Sequence, residues 1–301
     1  MNISLHLPTS SPLATTGLHR LAGLFMRPHQ KAAPLNNSLS TASPEEVSFP
    51  SRDGRARVEA SLLRATKAGA AVVLVVGQVG CWGSDARIEG RSLHVRTMAQ
   101  ALRARGITVL VTRLRGHGES ERHDVLGAID HLLALGFRSG SIGVLGASIG
   151  AMAGLLAAAE EPAVRAVVAD SPRGGGQAAL LQPLGAPLLP LARWLGRVLS
   201  GVDLGRRPML GDLAALRDRS VLIIQGRGDK VVTPATAQAL AKACGGRLWL
   251  TASQSHAGTL HEALPLYITR VVDYFCQHLQ PQRNESVMVP GLAPAWQAAS
   301  A

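Results

Sequence analysis

Three residues of the types that activate a nucleophile stand in similar settings along the chain. Ser148 lies in the pentapeptide GASIG, Asp229 in the segment QGRGD and His256 in the segment SQSHAG, and each follows a short apolar run. A serine hydroxyl is a poor nucleophile until a base accepts its proton, and a histidine does this best when a carboxylate orients its ring. These residue types, in this order, predict nucleophile, acid and base roles in acyl transfer.

The serine stands in a local pattern of strand, G-x-S-x-G and helix. Ile142, Val144 and Leu145 predict a buried strand, and an Ala/Leu-rich helix follows Gly150 directly. This arrangement is a nucleophile elbow, in which flanking glycines avoid collisions with the neighbouring strand and helix. The turn exposes the hydroxyl beside a helix N-terminus, where free N–H groups favour developing negative charge.

The elements that must position these residues alternate between strands and helices. Predicted strands cover 46–49, 57–63, 71–76, 107–111, 142–145, 164–169, 221–225 and 247–250, and predicted helices lie at about 88–105, 125–133, 151–160, 234–243 and 268–275. The first two strands are joined by a turn containing Asp-Gly, a hairpin signal. This alternation predicts a mostly parallel sheet covered on both faces, with Ser148, Asp229 and His256 together at the carboxyl ends of its strands.

The chain divides into a central domain and three less regular parts. Residues 45–279 carry the alternating pattern, whereas residues 1–44 contain no Asp or Glu and predict a disordered or loosely packed arm. Residues 173–218 interrupt the alternation with a Leu- and Pro-rich stretch that predicts a small helical cap. Residues 280–301 are rich in Pro, Gln and Ala and predict a loose tail.

Composition limits the classes of partner. The net charge of +11 raises the question of an anionic partner, but the arginines are scattered and aromatic residues are only 3%, so stacking platforms for nucleic acid are not indicated. No apolar run is long enough for a membrane span. Three widely spaced cysteines show no metal-binding or disulfide pattern and favour a reducing compartment. We expect a cytoplasmic protein, with the acid-free arm as an alternative targeting segment.

These motifs together resemble the α/β-hydrolase superfamily over about residues 46–279. The resemblance rests on GASIGA at the elbow, RGHGES after the fourth strand, ADSP at Asp170, VLIIQGRGDKVVTP and the late His256. It implies an eight-stranded sheet, a triad of Ser148, Asp229 and His256, and no metal or organic cofactor. It also implies an oxyanion hole formed by the backbone N–H groups of Ile149 and Gln78.

Several assignments keep an alternative. Asp170 also ends a strand and is a second candidate acid, but the preferred interpretation is that it holds the Asp-Ser-Pro turn through local hydrogen bonds. His261 is a rival to His256, but its place at the start of the final helix favours a surface position. For function, the triad and the resemblance predict a serine hydrolase that cleaves small carboxylic esters. The Leu-rich cap indicates an apolar acyl or alcohol group, although packing of the cap on the sheet would explain its leucines equally well. A thioesterase, a serine peptidase and a non-catalytic binding protein of the same fold are the alternatives.

Overall fold

An eight-stranded sheet forms the centre of the protein. The computed structural model describes residues 44–66, 68–76, 89–114, 121–174 and 210–279, with the backbone alone at 89–93 and 210–211. The strands are β1 (Glu45–Pro50), β2 (Arg57–Leu63), β3 (Ala70–Val76), β4 (Ile107–Arg113), β5 (Ile142–Ala147), β6 (Val164–Asp170), β7 (Ser220–Gly226) and β8 (Arg247–Thr251).

The strand order is β1-β2-β4-β3-β5-β6-β7-β8. The strand β2 pairs antiparallel with β1 and with β4, and all pairs from β4 to β8 are parallel. The predicted mostly parallel sheet of eight strands is therefore confirmed. Its order places β5, β6 and β7 side by side, so the segments that follow these strands meet at one edge.

Helices cover both faces of the sheet. They are α1 (Glu89–Ala104), α2 (Glu121–Ala134), α3 (Ile149–Glu160), α4 (Pro234–Cys244), α5 (Thr259–Glu262) and α6 (Leu264–His278), with a 3-10 helix at Leu210–Leu216. Buried residues of α2, α3, α4 and the 3-10 helix share one hydrophobic cluster. Those of α1, α5 and α6 share the cluster on the opposite face.

The valine-rich strand β3 explains why a continuous apolar run forms a central strand. Val73 and Val75 belong to the first cluster, whereas Val72 and Leu74 belong to the second, and all four are fully buried. Successive side chains of a strand point to opposite faces, so a strand covered on both sides needs apolar residues at every position.

The predicted strand boundaries differ from the observed ones by at most two residues, whereas α2 begins four residues before its prediction and α6 begins four residues before and ends three residues after its prediction. The strand β4 continues to Arg113, two residues beyond its prediction, because Arg113 pairs with Val76 at the end of β3. The predicted hairpin is present, and Gly54 in its turn has a φ of 68°. The last helical region consists of two helices, α5 and α6, rather than one.

The predictions for the less regular parts fall mainly outside the described residues. The arm 1–44, the tail 280–301 and most of the cap 173–218 belong to that group, as do the RGHGES histidine and Gln78. At the end of the predicted cap, Leu213 and Leu216 are buried against α3 and α4. Within the described part of the chain, none of the helices has the length and apolar character that crossing a membrane requires.

Candidate active site

Ser148 occupies the sharp turn between β5 and α3. Its backbone has a φ of 54° and a ψ of −118°, outside the regions that L-residues favour. A Cβ atom at Gly146 would collide with the backbone at Gly150, and one at Gly150 would lie 3.0 Å from the carbonyl oxygen of Val75. The flanking glycines therefore allow the helix to start against the sheet, as the elbow pattern predicts.

Ile149 is the first residue of α3, directly after the serine. The first N–H groups of a helix have no intrahelical acceptor, so the amide of Ile149 is available to a negatively charged oxygen. Gln78, the second residue expected in an oxyanion hole, lies outside the described residues.

The histidine ring lies between the serine and one carboxylate. His256 Nε2 is 2.8 Å from Ser148 Oγ, and His256 Nδ1 is 2.8 Å from Asp229 Oδ2. An ionised carboxylate only accepts hydrogen bonds, so Nδ1 donates to Asp229 and, in the neutral ring, Nε2 is the acceptor for the Ser148 hydroxyl. The three residues that the motifs predicted are thus brought into one hydrogen-bonded chain.

The carboxylate of Asp229 is held by four donors. The backbone N–H groups of Val231 and Val232 donate to Oδ1 at 2.8 and 3.0 Å, and Gln225 Nε2 donates to Oδ2 at 3.0 Å beside His256. Burial alone raises the pKa of this carboxyl, but the hydrogen bonds outweigh burial and lower it below its usual value. Asp229 is therefore ionised at neutral pH, as an acceptor for His256 must be.

The loop that carries His256 is held in its conformation by hydrogen bonds between polar side chains of the loop and its flanking residues. Glu262 Oε1 accepts hydrogen bonds from Ser255 Oγ at 2.7 Å and from Ser253 Oγ at 3.0 Å. Hydrogen bonding, chiefly from Ser255, lowers the pKa of Glu262. The hydroxyls of Thr251 and Thr259, one on each side of the loop, lie 2.8 Å apart. These contacts hold both ends of the segment from β8 to α5.

The glycine before Asp229 is needed because two loops approach closely. A Cβ atom at Gly228 would lie 2.8 Å from the Cα atom of Gln254, and the Gly228 amide donates to Ser253 O at 3.0 Å. The loop after β7 therefore packs directly against the histidine loop. This contact brings Asp229 within reach of His256.

Asp170, the alternative acid, has different partners. It ends β6, is fully buried, and accepts a hydrogen bond at Oδ1 from Ser171 Oγ at 3.0 Å. The Tyr267 hydroxyl interacts with the same carboxylate. Apart from this interaction, Asp170 Oδ2 and the Tyr267 hydroxyl are both buried, and neither has a hydrogen-bond partner among the described residues. The local hydrogen bond predicted for the Asp-Ser-Pro turn is present, and the His256 ring donates to Asp229 instead.

Burial of Asp170 has a measurable pH consequence. Burial raises the pKa of Asp170 to about 6, although hydrogen bonds from Ser171 and Tyr267 and attraction from His256 oppose the rise, and Asp229 adds to it. The folded protein therefore holds this proton at pH values where the unfolded chain has released it. Stability from the protonated form is present below pH ~4 and is lost as the pH rises towards ~6.

We expect Asp170→Asn to remove this pH-dependent loss of folding stability. Across that pH window, the free energy of unfolding of the wild type should fall relative to the variant by up to about 3 kcal/mol, measured by urea titration at each pH. The matched control is Asp273→Asn, at a half-exposed residue paired with Arg105. A constant difference between wild type and Asp170→Asn across the window would show that Asp170 does not titrate there.

His261, the rival histidine, is half-buried rather than a surface group. Its Nδ1 lies 2.7 Å from Nδ1 of His94 on α1. His261 therefore joins α5 to α1, whereas His256 faces Ser148.

Three supporting residues were not singled out from the sequence. Gln225 donates to Asp229, Glu262 binds the serines before His256, and Ser171 contacts the residue after it. Gln225 is a polar residue in an otherwise apolar strand, which is a usable signal. Ser171 carried none, because its partner Ala257 is 86 residues away, and the contacts of Glu262 depend on how the histidine loop folds. Among the described residues, no group of three His, Cys, Asp or Glu side chains is arranged to hold a metal ion.

Comparison of the described fold with solved structures finds extensive similarity at low sequence identity. An esterase of Pyrococcus furiosus matches 79% of this chain and 94% of its own with 18% identity and a TM-score of 0.59. Est1E of Butyrivibrio proteoclasticus matches 77% and 98% with 19% identity and a TM-score of 0.58. The α/β hydrolase GrgF of a Penicillium species matches 79% and 99% with 14% identity and a TM-score of 0.60.

No model of a protein family matches the sequence, and comparison with curated proteins finds no match either. The strand order, the reversed strand β2 and the similar structures nevertheless all indicate the same fold. The protein has the α/β-hydrolase fold, as the sequence motifs predicted.

Proposed function

We propose that the protein is a serine hydrolase that cleaves carboxylic esters through an acyl-enzyme. The observation that carries this proposal is the hydrogen-bonded chain from Ser148 through His256 to Asp229, at the carboxyl edge of the sheet. A nucleophile, a base and an ionised carboxylate in contact are the parts that acyl transfer needs.

In the first half of the reaction, His256 Nε2 accepts the Ser148 proton as Oγ attacks the ester carbonyl. The imidazolium that forms is stabilised by Asp229 at Nδ1. As the tetrahedral intermediate collapses, the C–O bond to the alcohol breaks, His256 returns the proton to the leaving oxygen, and the acyl group stays on Ser148. Water, deprotonated by His256, then attacks the acyl-enzyme, and the acid leaves with Ser148 restored.

The negative charge of each tetrahedral intermediate needs donors close to the former carbonyl oxygen. The Ile149 amide, at the start of α3, supplies one, and we assign the second to the backbone amide of Gln78. In enzymes of this chemistry, each such donor stabilises the transition state by about 3 kcal/mol. No metal or organic cofactor takes part in this scheme.

Two considerations favour esters over other acyl substrates. One of the similar structures is described as an esterase. The sequence of segment 173–218 is rich in leucine, and substrate pockets are mostly apolar. Thioesters and peptides remain the second class because the same residues cleave them, and a binding protein without turnover is the third.

The setting of this activity follows from composition. The isolated cysteines favour a reducing compartment, and we place the protein in the cytoplasm with a small-molecule substrate and no nucleic-acid partner.

A substrate series tests the proposal. Purified protein is assayed on p-nitrophenyl esters from acetate to palmitate, on acyl thioesters of the same lengths and on aminoacyl p-nitroanilides, and is labelled with a fluorophosphonate probe. We expect labelling at Ser148 and the highest kcat/KM on an ester, with a maximum at one chain length that measures the apolar pocket.

Other outcomes assign the alternatives. Labelling combined with higher kcat/KM on thioesters or anilides moves the protein to the second class. Absence of both labelling and turnover contradicts a serine hydrolase and leaves the binding protein.

A further inference from the structure

The segment that follows β6 is bonded to the nucleophile on both sides. The Ser148 amide donates to Asp170 O at 2.8 Å, and the Arg173 amide donates to Ser148 O at 3.1 Å. Between these two residues, the Ser171 amide donates to Ile224 O of β7 at 2.8 Å. Residues 170–173 therefore sit at fixed positions relative to Ser148 and to the strand that leads to Asp229.

The side chain of Ser171 extends this connection to the histidine loop. Its Oγ accepts a hydrogen bond from the Ala257 amide at 3.2 Å and donates to Asp170 Oδ1 at 3.0 Å. An amide N–H only donates, so the hydroxyl proton of Ser171 points to the carboxylate. Ser171 is 1% exposed, and water does not compete for these bonds.

Backbone conformation marks the same three places. Among the described residues, the non-glycine residues with positive φ are Ser148 at 54°, Ser171 at 48° and Ala257 at 50°. Such conformations persist where surrounding contacts hold them, and they cluster at functional sites. The hydrogen bonds described above join Ser148 to Asp170 and Arg173, on either side of Ser171, and join Ser171 itself to Ala257. The nucleophile turn, the segment after β6 and the histidine loop are thus one connected unit.

We propose that Ser171 is a positioning residue that fixes His256 against Ser148 through the Ala257 amide, with Asp170 aligning the Ser171 hydroxyl. The proposal rests on the function proposed above. Asp229 accepts the hydrogen bond from Nδ1, and the position of Nε2 relative to Ser148 Oγ then depends on the backbone that carries the ring. The hydrogen bond from the Ala257 amide to Ser171 Oγ holds that backbone at the next residue, which keeps Nε2 within reach of Ser148 Oγ.

The consequence is selective for the chemical step. Displacing a base by about 1 Å costs up to about 100-fold in rate. Substrate binding depends on other groups, so the loss should appear in kcat rather than in KM. Ser171→Ala removes the hydroxyl and keeps the Cβ atom. Ser171→Gly also removes the hydroxyl, and glycine adopts the φ of 48° at this position without strain.

The matched control is Ser141→Ala. Ser141 is also 1% exposed and donates one hydrogen bond, to Arg138 O at 2.7 Å, but it precedes β5 at the opposite end of the strand from Ser148. It therefore reproduces the loss of a buried serine hydroxyl without touching the site.

The experiment measures ester hydrolysis and the hydrogen exchange of the Ala257 amide by NMR in the wild type and these three variants. For both Ser171 variants we expect kcat to fall about 10- to 100-fold with KM within twofold, and the Ala257 amide to exchange at least about tenfold faster. In Ser141→Ala both quantities should stay within twofold of wild type. If Ser171→Ala does not fold, Ser171→Gly alone decides.

Three results overturn the proposal: kcat within twofold of wild type in a folded Ser171 variant, Ala257 exchange that does not change, or an equal loss of kcat in Ser141→Ala. If the wild type shows neither turnover nor fluorophosphonate labelling, the proposed function fails. Ala257 exchange then decides whether Ser171 holds the loop, so the two failures are distinguishable.

Discussion

Ser148→Ala is expected to lower kcat/KM for ester hydrolysis by about 10⁴-fold or more and to abolish fluorophosphonate labelling. In the proposed mechanism the hydroxyl oxygen forms the acyl-enzyme, and it lies 2.8 Å from His256 Nε2. Alanine leaves the Ile149 amide and the binding surfaces in place, so the residual rate measures what these contribute alone.

The fold should survive this substitution. Ser148 is buried and its backbone is held by the amide of Arg173 and by the bond to Asp170 O, none of which uses the side chain. Thermal unfolding checks this point, and Ser141→Ala is again the matched variant. Retention of more than a tenth of wild-type kcat/KM in a folded Ser148→Ala protein would mean that another group is the nucleophile.

Asp229→Asn is expected to lower kcat by about 10⁴-fold, through the proton on His256 rather than through the position of the ring. The asparagine oxygen would stay with the amides of Val231 and Val232, where Oδ1 now accepts two bonds. Its NH₂ group would then face His256 Nδ1 and Gln225 Nε2, both donors in the wild type. Nδ1 becomes the acceptor, and the proton moves to Nε2, facing Ser148.

Steady-state kinetics on the best ester, together with NMR assignment of the His256 tautomer, measures this effect. Asp273→Asn, a half-exposed Asp to Asn change on α6, is the control and should leave kcat unchanged. A loss of less than tenfold in Asp229→Asn would contradict the assignment and return the acid role to Asp170, the other carboxylate near the ring.

The positions of the strands could be predicted from the sequence, but the residues at which they end could not. All eight strands were visible as β-branched or alternating apolar runs, because a residue buried on either face of a sheet must be apolar. Their ends were not, because a strand continues for as long as a neighbour offers hydrogen bonds. Arg113 extends β4 by pairing with Val76, and nothing about the residue type of Arg113 predicts this pairing.

The supporting groups around the site show the same division. Gln225 and Asp229 are four residues apart, and their contact is a local one. Ser171 and Ala257 are 86 residues apart, and neither type nor spacing connects them. A serine after a strand is ordinary on its own, and its partner is set by which strands are neighbours.

Residue types and their spacing are enough to assign the class of fold, the elbow around Ser148 and the short list of polar residues at strand ends. Local chemistry is sufficient for these, since glycine spacing, apolar periodicity and residue type act over a few positions. It left two carboxylates, Asp170 and Asp229, as candidates. Which of them His256 contacts depends on the folded chain, because the loop after β7 packs against the loop after β8 at Gly228 and Gln254 and so places Asp229 beside the ring.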